Sequence, residues 1–278
     1  MAKYCLLAVD IDGTLMNSNH EVSQRTIDAV RRVTETGALV ALCTGRSTFC
    51  AELVEKTLGL DLHIVSYNGA HIVAPRNFDR KVVFINPVPE HHITTIIDYA
   101  NENRHYLNYY DNELVHVKPL SDEHNALVQR YQAQTAAVFN YVEDYANIPN
   151  KKPCKIVVMT TDTKTVTEQL KVMFADQLQI IRGEFFVECL APDVHKGAGL
   201  QKLSAYLQIP SENIVAFGDG WNDIEFLQFA GMGMAMANGY KETKAAAKKV
   251  TRFDNNKDGV AHEIEQMLLE GLFGPATS

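Results

Sequence analysis

The fold of this chain is decided by the stretch Cys5-Leu6-Leu7-Ala8-Val9-Asp10-Ile11-Asp12-Gly13-Thr14. An apolar run that stops abruptly at a charge is typical of a buried parallel strand. In an open sheet built from alternating strands and helices, ligands bind at the carboxyl ends of the strands. The sequence therefore places the carboxylates of Asp10 and Asp12 at the edge of such a crevice, and Gly13 allows a sharp turn beside them.

Composition and charge limit the classes of partner. The chain has 278 residues and a net charge of −8, with no basic block, which argues against nucleic acid as a partner. No apolar run reaches the length of a membrane span, and Met1-Ala2-Lys3-Tyr4 leads directly into the first strand without a secretory signal. We therefore expect a cytoplasmic protein that binds neither membranes nor nucleic acid. No feature of the sequence specifies an oligomeric state.

Cysteine usage also points to a reducing compartment. The five cysteines are scattered, odd in number and without the spacing of metal ligands. Cys5, Cys43 and Cys189 lie inside apolar strands, which predicts that they fill space in the core.

Strands and helices alternate in two parts of the chain, residues 1–85 and 191–278. Ser23 and Ser47 are placed to cap helices that end near Gly37 and Gly59. This alternation predicts an α/β fold with a doubly wound parallel sheet at its core.

The pattern changes between residues 86 and 190. Short strands pair across turns there, at Asp111-Asn112-Glu113 and at Gly183-Glu184. We expect an inserted α+β domain, an antiparallel sheet with helices packed on one face.

Further polar residues lie at strand ends or helix starts of the same core sheet. Thr44-Gly45 follows the second strand and offers a hydroxyl and backbone N–H groups to a phosphate oxygen. Lys196 opens a helix, where the N-terminus already favours anions. Asp219, Asn222 and Asp223 follow a later apolar strand and supply oxygen ligands for a hard cation.

Together these residues resemble the haloacid dehalogenase superfamily of phosphohydrolases. Its four motifs occur in order, as Asp10-x-Asp12-Gly-Thr, Thr44, Lys196 and Gly218-Asp219-x-x-Asn222-Asp223. The Cof-type branch, which carries a large α/β cap, is matched by the inserted region and by Ser66-Tyr67-Asn68-Gly69-Ala70, Met234-Ala235-Met236-Ala237-Asn238 and Asp258-Gly259-Val260-Ala261.

The resemblance implies a mechanism. Asp10 would attack a phosphomonoester and form an aspartyl-phosphate, and Asp12 would act as general acid and then general base. The metal would be Mg²⁺, held by Asp10, Asp219 and the backbone carbonyl of Asp12, with Asp223 orienting a metal-bound water or the lysine. The phosphoryl group would be bound by Ile11, Thr44, Gly45, Lys196 and Asn222.

The expected substrate is a small phosphorylated metabolite, with a sugar phosphate preferred. Arg46, Asn68 and Arg182 are candidates for substrate contact by position. Trp221 is large for its place in the metal loop and is expected either to pack against the cap or to cover the sheet.

Two alternatives remain. A phosphomutase of the same fold needs a second phosphate-binding site, which basic residues would form. Residues 86–190 carry nine Lys or Arg against fourteen Asp or Glu, and this balance disfavours such a site. A non-catalytic metabolite- or calcium-binding protein is suggested by the stretch 254–259 with Glu265, which matches a calcium loop letter for letter. The context contradicts calcium binding, because a strand is predicted where the preceding helix should be.

Overall fold

The computed structural model describes residues 3–111, 114–135, 137–148 and 152–276. Met1 and Ala2, and Asn112 and Glu113 in the turn of the first predicted hairpin, lie outside the described residues. The chain forms two compact units, one from the residues up to 84 and from 195 onward, the other from residues 85–194.

The elements follow one another in three groups. The first is β1 (Leu6–Val9), α1 (Gln24–Glu35), β2 (Leu39–Cys43), α2 (Thr48–Leu58), β3 (His63–Ser66), β4 (His71–Val73) and β5 (Val82–Ile85). The inserted group is α3 (Glu90–Glu102), β6 (Tyr106–Asp111), β7 (Leu114–Val117), α4 (Asp122–Thr135), β8 (Phe139–Tyr141), β9 (Lys155–Met159), α5 (Thr163–Phe174), β10 (Gln179–Arg182) and β11 (Phe186–Leu190). The last is α6 (Lys196–Leu207), β12 (Ile214–Gly218), α7 (Ile224–Phe229), β13 (Met232–Ala235), α8 (Lys241–Ala246), β14 (Lys249–Val250) and α9 (Gly259–Leu269).

Local signals set the helix ends, as the sequence predicts. The Ser23 side chain accepts a hydrogen bond from the Thr26 N–H at the start of α1. Ser47 does the same for the Cys50 N–H at the start of α2, and Gly59 ends that helix in a left-handed conformation.

The first unit is built on a sheet with strand order β14-β13-β12-β1-β2-β3-β4-β5. β1 is parallel to both neighbours, with Leu6 opposite Ile214 on one side and Leu39 on the other. Leu7 and Val9 pack into one apolar cluster, and Leu6 and Ala8 into another. The predicted buried central strand and doubly wound α/β fold are therefore confirmed.

One edge of this sheet differs from the prediction of a parallel sheet. β4 was not predicted, and it runs antiparallel to β3, with Val65 opposite Ile72. Three residues are too few for alternation or composition to mark a strand.

The inserted unit contains a second sheet, with strand order β10-β11-β9-β6-β7-β8. Its pairs β6–β7, β6–β9, β9–β11 and β10–β11 are antiparallel as predicted, but β7 and β8 are parallel. The reason is that α4 connects β7 to β8 as a crossover rather than as a tight turn.

The expectation that helices pack on one face of this sheet is wrong for α4. Tyr109 on β6 joins the apolar cluster that includes residues of α3 and α5. Tyr110 points to the other face because side chains alternate along a strand, and its hydroxyl lies 2.6 Å from that of Tyr131 on α4. Both faces of the sheet therefore carry helices.

All five cysteines are buried and none is in a disulfide, which fits the prediction of core residues for Cys5, Cys43 and Cys189. None of the helices that the structure describes combines the length and apolar character that a membrane span requires.

Candidate active site

The candidate active site lies at the carboxyl ends of the central strands. Asp10 follows β1, Thr44 follows β2 and Asp219 follows β12. Because these strands are adjacent and parallel, their carboxyl ends share one edge of the sheet. The Asp10 N–H donates to the Phe217 carbonyl at 2.9 Å, which continues the pairing of β1 with β12 into the site.

Lys196 is the buried cation of this site. Its side chain is 2% exposed, and its Nζ lies 2.5 Å from Asp10 Oδ1 and 2.6 Å from Asp223 Oδ1. Burial alone would lower the pKa of Lys196, but the negative charges of Asp10 and Asp223 outweigh it and raise that pKa above the usual value. The side chain is therefore an ammonium ion shared by two carboxylates.

Asp223 shapes the loop that follows β12. Its Oδ2 accepts hydrogen bonds from the N–H groups of Asp219 and Gly220, both at 2.9 Å. Since Oδ1 accepts from Lys196, both oxygens of this carboxylate already have partners within the protein.

Asp219 approaches the turn that follows Asp10 very closely. The Thr14 hydroxyl donates to Asp219 Oδ1 at 3.3 Å. Gly13 has a φ of +72°, and a Cβ atom there would lie 2.4 Å from Asp219 Oδ2, so any side chain at this position would strain the backbone and displace Asp219. Burial and the neighbouring charge of Asp223 raise the pKa of Asp219 to about 6.

Carboxylate oxygens of Asp10, Asp219 and Asp223 lie within 4.8 Å of one another. Hard oxygen donors of this kind suit Mg²⁺. Burial raises the pKa of Asp10 as well, although the Lys196 ammonium opposes that shift. Three acidic groups around one ammonium leave excess negative charge, and the site therefore fits a divalent cation.

Asp12 is held by an arginine. Arg46 donates from Nε to Asp12 Oδ2 at 2.8 Å and from Nη2 to Asp12 Oδ1 at 2.5 Å. The Arg46 side chain is 10% exposed, whereas that of Asp12 is 49% exposed. Arg46, predicted by position to contact substrate, thus engages Asp12, a pairing that the sequence does not reveal.

The predicted phosphate-binding residues lie around the same strand ends. Ile11 begins the turn after Asp10, and its carbonyl accepts from the Met16 N–H at 2.9 Å. The Thr44 hydroxyl accepts from the Arg46 N–H at 3.1 Å. Gly45 is so close to Asn68 that a Cβ on it would lie 3.1 Å from Asn68 Oδ1.

Two asparagines connect separate loops of the site. Asn222 lies in the loop after β12, and its Nδ2 donates to Asn68 Oδ1 at 3.0 Å. Asn68, predicted for substrate contact, is 3% exposed and belongs to the turn between β3 and β4. The sequence predicts both residues near the site but does not reveal that they pair.

Two other predicted residues make local contacts. Arg182 lies in the inserted unit, where its Nε donates to Thr163 Oγ1 at 2.9 Å. Trp221 stacks on Tyr240 with ring centroids 4.0 Å apart and remains 58% exposed. The Trp221 ring therefore packs on a neighbouring loop of its own unit.

Two asparagines whose roles are not predictable from the sequence brace the turn after Asp10. Asn238 Nδ2 donates to the Gly13 carbonyl at 2.8 Å, and Asn255 Nδ2 donates to the Met16 carbonyl at 2.9 Å. Asn238 Oδ1 also accepts from the Asn255 N–H, which joins the two asparagines. Asn255 belongs to the calcium-loop pattern, so the structure gives this part of that pattern a bracing role.

Comparisons with known proteins find relatives along almost the whole chain. Residues 7–264 match the family of haloacid dehalogenase-like hydrolases. A 5-amino-6-(5-phospho-D-ribitylamino)uracil phosphatase of Bacillus subtilis, YitU, is 28% identical over 94% of this chain and 96% of its own length. The phosphatase YwpJ of the same organism is 26% identical over 95% of this chain and 99% of its own length. The crystal structure of a haloacid dehalogenase-like hydrolase from Bacteroides thetaiotaomicron superimposes with a TM-score of 0.88, at 26% identity, over 95% of this chain and 100% of that one.

Proposed function

Because the chain belongs to the haloacid dehalogenase-like hydrolases, we propose that it hydrolyses phosphomonoesters with the help of Mg²⁺ through an aspartyl-phosphate on Asp10. That it is a phosphatase for small phosphate substrates follows from the family and its named relatives. The observation that supports the finer proposal is the buried Lys196 between Asp10 and Asp223, next to Asp219.

Asp10 is the proposed nucleophile. One of its oxygens accepts from Lys196, and this contact fixes the carboxylate at the end of β1. In the first step a bond forms between an Asp10 oxygen and phosphorus while the ester P–O bond breaks. In the second step a water oxygen attacks phosphorus, the bond to Asp10 breaks and inorganic phosphate leaves.

Asp12 is the proposed general acid and base. It gives a proton to the departing alcohol oxygen in the first step and takes one from the attacking water in the second. Arg46 contacts both of its oxygens, which supports a role for Arg46 in orienting this carboxylate. The family also contains dehalogenases, and the acid and base role of Asp12 distinguishes the proposed phosphatase chemistry from theirs.

The remaining polar groups would bind the transferring phosphoryl group. Lys196 offsets the negative charge that accumulates where two carboxylates and a phosphate converge. The other groups proposed for this task are the Thr44 hydroxyl, the N–H groups of Ile11 and Gly45, and the Asn222 amide.

Asp10 and Asp219, with the backbone carbonyl of Asp12, are the proposed ligands of Mg²⁺. Both oxygens of Asp223 are occupied by Lys196 and by backbone N–H groups, so we assign Asp223 to orienting Lys196 and the loop. When bound, Mg²⁺ supplies positive charge beside the phosphoryl oxygens.

For the substrate we propose a sugar phosphate or a similar small phosphorylated metabolite, with the inserted unit contributing to specificity. A relative named for a phosphate ester of a ribityl compound supports this class. The composition of residues 86–190, with more acidic than basic side chains, favours hydrolysis over a mutase that must hold a second phosphate.

The test is release of inorganic phosphate from a panel of phosphate esters, with and without Mg²⁺. We expect Mg²⁺-dependent release by the wild type and none by Asp10→Asn, which keeps the size of the side chain but removes the nucleophile. Release that persists in Asp10→Asn contradicts the mechanism. Conversion of a phosphate ester into its isomer without free phosphate identifies a mutase.

A further inference from the structure

The turn between β3 and β4 has an unusual backbone. Tyr67, Asn68 and Gly69 follow one another with φ values of +50°, +53° and +100°. Residues other than glycine rarely adopt this left-handed region, because it strains their backbone. Tyr67 and Asn68 persist in it because the surrounding structure holds the turn in place.

Hydrogen bonds tie this turn to the loop after β2. The Asn68 N–H donates to the Thr44 carbonyl at 3.0 Å, and the Tyr67 N–H donates to the Arg46 carbonyl at 2.9 Å. The turn therefore fixes the backbone on both sides of Gly45, where phosphate-binding N–H groups are proposed.

The Asn68 side chain ties the same turn to the loop after β12. Its buried Oδ1 accepts from Asn222 Nδ2 at 3.0 Å. Gly220 leaves room for this amide, since a Cβ on Gly220 would lie 2.5 Å from Asn222 Oδ1. The hydrogen bond to Asn68 thus orients the Asn222 amide.

Close packing ties the turn to the start of α6. A Cβ on Gly69 would lie 2.7 Å from the His195 carbonyl oxygen, and a Cβ on Gly199 would lie 2.6 Å from the Gly69 Cα. This backbone-to-backbone contact is possible only between glycines. It supports the first turn of α6, which begins with Lys196.

We propose that Asn68 is a positioning residue that orients the Asn222 amide and fixes the loop at Gly45 for binding of the phosphoryl group. The proposal rests on the phosphatase function above. In this role Asn68 acts through Asn222 and the backbone of the neighbouring loop rather than through substrate contact.

The test separates the Asn68 side chain from its backbone conformation. Asn68→Gly removes the amide but accepts a positive φ, whereas Asn68→Ala removes the amide and strains the backbone. We expect both variants to lose about tenfold in kcat/KM and to bind inorganic phosphate, measured by calorimetry with Mg²⁺ present, about tenfold more weakly. Because only alanine strains the backbone, Asn68→Ala is expected to unfold at a lower temperature than Asn68→Gly.

A double-mutant cycle tests whether Asn68 affects phosphate binding through Asn222. If Asn68 acts through Asn222, the combined variant Asn68→Gly with Asn222→Ala loses no more phosphate affinity than Asn222→Ala alone. The matched control is Asp79→Gly, an exposed residue with a φ of +55° in the same unit, which is expected to leave kcat/KM and phosphate affinity unchanged.

Three outcomes overturn the proposal: an Asn68→Gly variant within twofold of the wild type, losses that track the unfolding temperature, or additive losses in the cycle. If the wild type releases phosphate from no ester, the proposed function fails instead. The calorimetric affinity for inorganic phosphate then still decides the role of Asn68.

Discussion

Replacing Lys196 by methionine removes the ammonium that two buried carboxylates share, with Asp10 and Asp223 at 2.5 Å and 2.6 Å from its Nζ. Breaking a buried ion pair costs about 3–5 kcal/mol, because the partner is left as an uncompensated charge. Asp223 keeps its two backbone N–H donors, so most of the penalty falls on Asp10. We therefore expect the lower end of that range, about 3 kcal/mol, in the free energy of unfolding.

The activity of Lys196→Met should fall further than its stability explains. Loss of a preorganised electrostatic group at the reacting centre costs about 100- to 1000-fold in kcat. The assay combines urea unfolding at pH 7 without Mg²⁺ with phosphate release under conditions where the variant is folded.

Lys155→Met is the matched control. Lys155 is also buried, and its Nζ lies 2.6 Å from Glu188 Oε1, but it belongs to the inserted unit. It should lose stability in the same range while retaining phosphate release within a few-fold. The proposed role of Lys196 is wrong if Lys196→Met has a free energy of unfolding within about 1 kcal/mol of the wild type, or if it is no less active than Lys155→Met.

Three further predictions concern protons and the backbone. Since the pKa of Asp219 is about 6, protons compete with Mg²⁺ below that pH, and calorimetry should show about tenfold weaker Mg²⁺ binding at pH 5 than at pH 7; equal affinities contradict this. Gly13→Ala strains a backbone with positive φ and displaces Asp219. The free energy of unfolding should therefore fall by about 1–2 kcal/mol and Mg²⁺ should bind more weakly. Urea and Mg²⁺ titrations that match those of the wild type contradict this prediction. Burial, aided by the charge of Arg80, lowers the pKa of His63 to about 4. Between about pH 6.5 and 4 the unfolded chain therefore binds more protons than the folded protein does. The free energy of unfolding falls by up to about 3 kcal/mol as the pH drops through that window. Urea unfolding should show a smaller loss for His63→Gln, and an equal loss would exclude His63 as the cause.

Local sequence signals located the main site residues. Asp10 and Asp219 each follow an apolar strand directly, and Lys196 begins a helix, so strand and helix boundaries were enough to predict their placement. Ser23 and Ser47 were predictable for the same reason, because a helix cap depends on residues three positions away.

Contacts between distant residues were not predictable. The bond between Asn68 and Asn222 joins residues 154 positions apart, and it depends on a left-handed conformation that asparagine adopts only in a suitable environment. The pairing of Arg46 with Asp12 depends on the direction of two side chains across neighbouring strands. A sequence shows which residues end each strand, but side-chain direction there is decided by packing.

The pairing of Leu6 with Ile214 has a consequence for the order in which the protein is made. A ribosome completes residues 85–194 before the strand that covers this side of β1 has been synthesised. Until then β1 exposes an open edge to other nascent chains. The inserted unit, by contrast, is contiguous in sequence and can fold as soon as it emerges. We therefore infer that Asp10 comes into contact with Lys196 and Asp219 only late in synthesis, when the last third of the chain packs against the part of the sheet that the N-terminal strands have formed.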